Sequence, residues 1–483
     1  MRILLISPPI THGDELQAKA RGCMPPLDLM YLAAYVRQYN HDVNMLDLYS
    51  RGLSNKKLFQ YIQKEHPVVI GFSTYSANID LVYKLSAIIK LNFPDIKIVL
   101  GGIHASYLAG VCLDNPSVDF IVRGEGERTL LELLSAIEDR SDLSQIEGMS
   151  YKSKSGIVHN PDRKLIEDID ALPWPAYDLV NFDNYFLAVT RAVTSGRVAS
   201  VLTARGCPYG CSFCSQSYGY NRRVRNRDVH NVVDEMLYLY DKYDIREFQI
   251  EDSSLTADPK RVIKLCQLIE ESHMKIIWNC NVRANTASEE LFAAMRDAGC
   301  RRILLGVESG SQKMLDSMNK GITLEQVRKT VRLAKKYKMR INCAFVVGLP
   351  GETYESAMRS CVFSKELDPD YIMFSVLVPS VGSALFEQAV KEKIIDVRNV
   401  KGADYISVYS QRLPLVEMSS VKREDLFKLM EKCTISFYLR PKYILKRMIG
   451  ITSWAELKRM IYGLVLIFRH QMALFLALFK LKK

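Results

Sequence analysis

The chain has 483 residues, 48% of them hydrophobic and 25% charged, with a formal net charge of +11. That length exceeds what one hydrophobic core supports and implies two or three domains, and the composition excludes a fibrous or disordered chain. The positive charge does not mark a nucleic-acid binder: from Ser436 onward ten Lys or Arg face one acid, Glu456, so a surplus of nine sits in the tail and the rest is nearly neutral.

Residues 1–140 alternate buried-strand runs with helical patterns. Arg2–Ser7 is an apolar strand that stops at Pro8-Pro9, and Leu27, Met30, Tyr31, Ala34 and Tyr35 fall at helical spacing. Further strands are expected at Asp42–Leu46, Val68–Ser73, Ile96–Leu100 and Phe120–Arg123, with helices over Asp80–Leu91 and after Glu127. This α/β rhythm means a Rossmann-like, doubly wound parallel sheet whose ligand lies beyond the carboxyl ends of the strands. Those ends carry Ser73, Thr74 and Ser76, then Gly101, Gly102, His104 and Ser106, then Gly124, Glu125 and Gly126. Glycines admit close approach of a ligand, and hydroxyls with helix N-termini suit a phosphate. The residues alone indicate a nucleotide-like ligand, although no Gly-x-Gly-x-x-Gly follows the first strand.

Residues 141–194 read as a linker. Ser150–Asn160 is polar around Gly156, and Pro173 and Pro175 disfavour helix and mark a boundary, with Trp174 expected to pack between domains. From 195 to 410 the rhythm resumes. Strands are expected at Ser200–Ala204, Glu247–Glu251, Ile276–Val282, Arg302–Val307, Arg340–Val347 and Tyr371–Val376, separated by helices such as Arg227–Lys242 and Pro259–Glu271. Six βα units make an open barrel with its chemistry at the C-terminal strand ends.

The first of these strands runs into a loop carrying Cys207, Cys211 and Cys214, kept from being helical by Gly206, Pro208 and Gly210. Three thiolates this dense suit an iron–sulfur cluster or zinc. Structural zinc needs a fourth ligand, and the nearest downstream histidine, His230, falls in an expected helix. A four-iron cluster ordinarily takes four cysteines, so three leave one iron open for chemistry. Eleven cysteines, an odd number, and an opening without the pattern of a secretory signal argue against a disulfide framework. The other eight are expected as small core residues.

The Cys-x3-Cys-x2-Cys spacing, with Phe213 before the last cysteine, resembles the radical S-adenosylmethionine (SAM) superfamily. The set Pro25-Pro-Leu-Asp-Leu-Met-Tyr-Leu-Ala-Ala, Gly101-Gly-Ile-His-Ala-Ser and Val122-Arg-Gly-Glu-Gly-Glu resembles the cobalamin (B12)-binding domain fused to such enzymes in the class B type, the branch of the anaerobic magnesium-protoporphyrin cyclases and C-methyltransferases. The resemblance implies a cobalamin-binding domain over 1–140, a partial (β/α)6 radical SAM barrel over 195–410 and a helical region over 411–483. It further implies a [4Fe-4S] cluster on Cys207, Cys211 and Cys214, and S-adenosyl-L-methionine positioned by Phe213, Glu251, Arg283 and Glu308. Cobalamin would be held by Ser73, Thr74, Ser76, Gly101, Gly102, His104, Ser106, Gly124, Glu125 and Gly126, and an external flavodoxin- or ferredoxin-type protein would supply electrons. The bland alternative for Arg283 and Glu308 is a buried ion pair, and for Glu352 a contact within its own loop. The usual Asp-x-His-x-x-Gly of cobalamin domains is absent, which leaves His12 a loop histidine. Pro379-Ser-Val-Gly-Ser departs from the family's Pro-aromatic-Pro-Gly-Thr, so substrate class does not carry over.

The function implied is cleavage of SAM to a 5′-deoxyadenosyl radical and C-methylation of an unactivated carbon in an apolar or natural-product substrate. A radical oxidative cyclase without net methyl transfer is the alternative, and a non-catalytic cobalamin sensor or carrier the remote one. In the tail, Met460–Phe468 and Met472–Phe479 are apolar but interrupted by Arg469-His-Gln, and neither reaches the roughly 20 residues of a membrane span. Flanking Lys and Arg allow an interfacial helix, and a helical cap on the barrel is the equal alternative. A cytoplasmic protein with a small-molecule or lipid-like substrate, peripheral to the membrane in the first reading, is expected.

Overall fold

The structure is a computed structural model and describes residues 1–9, 22–51, 55–188, 196–400 and 417–449. Its first domain is built on β1 (Arg2–Ser7), β2 (Gly22–Cys23), β3 (Asp42–Asp47), β4 (Val69–Ser73), β5 (Lys97–Gly101) and β6 (Phe120–Val122). All but β2 lie side by side in the order β3-β1-β4-β5-β6, every neighbouring pair parallel. Ile3, Leu4, Leu5 and Ile6 are all buried, as a strand covered on both faces requires. Leu4 and Ile6 face Val82, Leu85 and Ile89 of the helix Ile79–Asn92, while Ile3 and Leu5 face Met30 and Leu133 of the helices Leu27–Arg37 and Gly126–Asp139. The strand order reverses between β1 and β4, which opens a crevice at their carboxyl ends.

The polar stretch assigned to the linker is not one. Met149–Ser153 (β7) and Gly156–His159 (β8) form an antiparallel hairpin that extends the sheet from β6. An edge hairpin keeps one face in water, so it needs few apolar residues and its sequence reads as a loop.

A short strand of the linker, β9 (Phe186–Leu187), pairs with β2. The second sheet then runs β10 (Val198–Val201), β13 (Glu247–Ile250), β14 (Ile277–Val282), β15 (Cys300–Glu308), β16 (Arg340–Val347) and β17 (Tyr371–Val376), all parallel and in sequence order, a partial barrel. The expected strand Ser200–Ala204 is split. Its end leaves the barrel as β11 (Ala204–Arg205), paired with β12 (Arg225–Asn226), because the buried Asp252 carboxylate accepts from the backbone N–H groups of Thr203 (2.7 Å) and Ala204 (3.1 Å).

One core continues from the first domain through Ala176, Tyr177 and Phe182 into the barrel. Trp174 joins the linker to the barrel as expected: its indole N–H donates to Asn231 (2.6 Å) and its ring lies 5.6 Å from that of Tyr238. Beneath it the buried Arg227 and Glu235 form an ion pair, and the Tyr177 hydroxyl also donates to Glu235. The helix Arg423–Tyr438 packs on β17, and Pro441–Ile449 follows. Met460–Phe468 and Met472–Phe479 lie outside the described residues, as does His12.

Removing one member of a buried pair leaves the other charge stranded. Glu235→Ala is expected to lower stability by about 3 kcal/mol, seen as an earlier midpoint in anaerobic chemical denaturation; a midpoint unchanged from wild type would refute this account of the interface.

Candidate active site

A cavity of about 1430 Å³ lies between the two domains. The first domain contributes Ser7, Pro8, Ser73 and Tyr75 from the switch-point strands, then Gly101, Gly102 and Ser106, then Gly124, Glu125 and Gly126. The barrel contributes Ser200, Leu202, Glu251 and Ser253 near its strand ends, with Leu304, Asn342 and Met373 from within. Gly102 is required where it stands: its φ is +91°, and a Cβ there would come within 2.6 Å of the Thr74 carbonyl.

The cysteine loop follows β11. Gly206, at φ +97°, lies so close to the backbone of Arg223 that no side chain fits. Cys207 and Cys211 are buried and Cys214 half-buried. The three thiols are near enough to act on one another: burial pushes the Cys207 pKa up first, and the charges of Cys214 and Cys211 push it further, against the Tyr209 N–H and the Arg283 guanidinium. Among the described residues no three His, Cys, Asp or Glu groups are drawn together around a single point. His230 points to Asp228 at the surface instead.

Arg283, after β14, stacks 3.7 Å over the Tyr209 ring and donates to Cys211 Sγ at 3.6 Å, while its buried Nε has no partner. Glu308, at the end of β15 with φ +64°, pairs with Lys320 at 2.6 Å, and Lys320 lies 5.8 Å from the Phe213 ring. Among the described residues the ion pair weighed for Arg283 and Glu308 is found for Glu308, with a lysine twelve residues downstream that no spacing rule singles out. Glu251 faces the cavity and accepts from Ser200 (3.4 Å). Glu352 turns into its own loop, accepting from the N–H groups of Gly348 and Leu349, and burial raises its pKa to about 7.

The expected cobalamin residues divide. Ser73, Gly101, Gly102, Ser106, Gly124, Glu125 and Gly126 line the cavity, whereas Thr74, Ser76 and His104 lie behind its wall. Thr74 donates to the Gly101 carbonyl (2.6 Å) and accepts from Ala105 N–H (3.2 Å); His104 Nδ1 meets Ser76 Oγ at 3.0 Å. Burial lowers the His104 pKa to about 4. Ser73 donates to Asp28, which also lines the cavity. Glu125 is held by Arg205 (3.0 Å) and Arg225 (2.7 Å), and Arg205 also holds Glu127 (2.6 Å). Nothing in the local pattern announced this cluster, because its members come from segments about 80 to 100 residues apart.

The family model for the radical SAM superfamily matches residues 201–362, and that for the B12 binding domain matches residues 15–134. An uncharacterized methyltransferase of Pyrococcus horikoshii is 33% identical, over 97% of this chain and 99% of its own length. The anaerobic magnesium-protoporphyrin IX monomethyl ester cyclase of Rubrivivax gelatinosus is 31% identical, over 80% of this chain and 70% of its own. In fold, the radical SAM methyltransferase TsrM of Kitasatospora setae, solved with cobalamin and a [4Fe-4S] cluster, superposes with a TM-score of 0.68 at 21% identity, covering 81% of this chain and 78% of its own. The chain belongs to the cobalamin-binding radical SAM enzymes.

The cofactors of this family are a [4Fe-4S] cluster, SAM and cobalamin, and the residues present fit them. Three mutually interacting thiols on one loop, with no fourth cysteine in it, suit a cluster with one open iron. The orphaned Arg283 Nε and the charged Glu308–Lys320 pair offer partners of both signs to an amino acid. The switch-point crevice supplies a glycine-rich wall for a corrinoid.

Cys211→Ala is expected to abolish the visible absorption and iron content of the reconstituted cluster while leaving cobalamin binding in place; retention of a full cluster would overturn the ligand assignment. His104 has a folded pKa near 4, below its unfolded value of 6.5, so its stabilisation is complete above pH 6.5 and is lost as pH falls through 4. The loss amounts to up to about 3 kcal/mol. His104→Asn should flatten stability against pH in that window, as read by thermal unfolding at pH 4.5 and 7.

Proposed function

We propose that the protein is a C-methyltransferase acting on an unactivated carbon of a small apolar or natural-product molecule held in the inter-domain cavity. The observation that carries the reading is the single chamber walled by both domains, so that a corrinoid on Ser73, Gly101 and Gly124 and the SAM side at Glu251 open onto the same space. The full-length likeness to a protein named as a methyltransferase supports it. When bound, the cluster with SAM supplies a 5′-deoxyadenosyl radical, and cobalamin supplies a methyl group.

The chain's own residues set the rest. Cys207, Cys211 and Cys214 hold the cluster, and Arg283 donates a hydrogen bond to the Cys211 sulfur. Phe213, Glu251, Arg283 and Glu308 position SAM; Ser73, Gly101, Gly102, Ser106, Gly124, Glu125 and Gly126 position cobalamin from the wall, with Thr74, Ser76 and His104 bracing that wall from behind. Leu304 and Met373 give the substrate an apolar floor, and the buried Oδ1 of Asn342, which has no partner, accepts a hydrogen bond from a substrate donor. A flavodoxin- or ferredoxin-type protein delivers the electrons.

The test is anaerobic turnover of the reconstituted holoenzyme with SAM, reductant and an extract of host lipids and pigments, followed by mass spectrometry. S-adenosylhomocysteine and 5′-deoxyadenosine should rise together over many turnovers. Catalytic 5′-deoxyadenosine without matching S-adenosylhomocysteine would replace the methyltransferase with an oxidative cyclase. Loss of neither product in Cys211→Ala would remove the radical reading altogether.

A further inference from the structure

We propose that Arg283 raises the reduction potential of the cluster held by Cys207, Cys211 and Cys214, and so makes it easier to reduce. The inference rests on the reading that these cysteines hold the cluster, and it gives Arg283 a role separate from positioning SAM. The guanidinium lies against the cysteine loop itself. Its face stacks 3.7 Å over the ring of Tyr209, which stands between the first two cysteines, and its Nη1 donates to Cys211 Sγ at 3.6 Å. Neither contact uses Nε, which is buried without a partner.

The backbone fixes that position. Arg283 follows the last residue of β14; its N–H donates to Thr256 Oγ1 (3.4 Å) and its carbonyl accepts from the Thr286 hydroxyl (2.9 Å). The two threonine hydroxyls bond each other at 2.7 Å, and Thr256 is fully buried. Arg283 itself is only 8% exposed. Among the described residues its side-chain partners are a ring and a sulfur, with no carboxylate between them. A guanidinium taken out of water needs an anion. Other buried arginines have one: Arg205, Arg225 and Arg227 each pair with a glutamate. Arg283 meets the cysteine loop instead, and a cluster bound through thiolates is an anion.

Reduction adds one electron, and so one negative charge, to that anion. A cation with an N–H donor at a ligand sulfur stabilises the reduced form more than the oxidised one, which lifts the potential. The electron comes from the flavodoxin- or ferredoxin-type donor, which is oxidised as the cluster is reduced, and no bond forms or breaks.

The experiment is an anaerobic redox titration of the reconstituted full-length holoenzyme without SAM, read by the electron paramagnetic resonance of the reduced cluster after iron and sulfide content are checked. Arg283→Met keeps the bulk but removes the charge and the donor. It should lower the potential by about tenfold in the reduction equilibrium, about 59 mV for one electron. The sign separates this role from a structural one. A variant that merely loosened the loop would admit water, which favours the more highly charged reduced cluster and raises the potential. Arg246→Met removes a similar guanidinium, stacked 3.6 Å over Tyr240 just before β13, and should leave the potential unchanged. If Arg283→Met takes up no cluster, Tyr209→Leu, which removes the stacking ring, should shift the potential in the same direction by less. The proposal is overturned if the potential stays or rises in the variant that carries the cluster. Loss of SAM binding in equilibrium dialysis with an unmoved potential would also overturn it, leaving Arg283 to SAM alone. A wild type that takes up no cluster would overturn the cysteine assignment along with it.

Discussion

The arrangement depends on a buried cluster of four charges. Glu125 and Glu127 lie at the start of the helix Gly126–Asp139 in the first domain; Arg205 and Arg225 lie on β11 and β12 of the barrel. Their side chains are at most 10% exposed. Burial by itself would raise the Glu125 pKa, but the hydrogen bond from Arg225 and the charge of Arg205 outweigh it and hold the carboxyl below its usual range. Such a cluster is expensive to desolvate and is poor evidence of stability, but it admits one docking geometry, since any slip strands a charge. Arg205 is two residues from Cys207, and Glu125 lines the inter-domain cavity. The contact that joins the domains therefore also fixes the cysteine loop relative to the cavity wall.

Beyond that clamp, two strand ends of the barrel depart from regular geometry. Glu308 adopts a left-handed conformation that a non-glycine residue takes up at a cost of about 1 kcal/mol or more, held by its ion pair with Lys320. Asp252 draws Thr203 and Ala204 out of the barrel strand, and so redirects the chain into the cysteine loop. Both features lie at strand ends, where the barrel no longer dictates the backbone and side chains can.

The two ends of the barrel divide the labour. The carboxyl ends face the first domain and enclose the cavity, while the amino end of β17 carries the C-terminal helices through Tyr438, Tyr443 and Arg447. The helix Pro441–Ile449 rests its inner face on the barrel, whereas the cap and the interfacial helix were rival readings of residues 460–479, which lie outside the described residues.

Local chemistry was legible in the sequence. Unbroken apolar runs such as Ile3–Ile6 specify strands covered on both faces, proline and glycine exclude helix from the cysteine loop, and three dense thiols suit an iron–sulfur cluster or zinc, between which the family resemblance chose. These properties depend on neighbours along the chain. The hairpin Met149–His159 was missed because edge strands need little apolar content. Thr74, Ser76 and His104 were expected to hold cobalamin and lie behind the cavity wall instead, because a polar residue at a strand end can face the ligand or the protein, and only packing chooses. The partners Glu125–Arg225 and Glu308–Lys320 were beyond sequence reasoning for the same cause. An ion pair is a meeting of two surfaces, and the fold alone determines which surfaces meet.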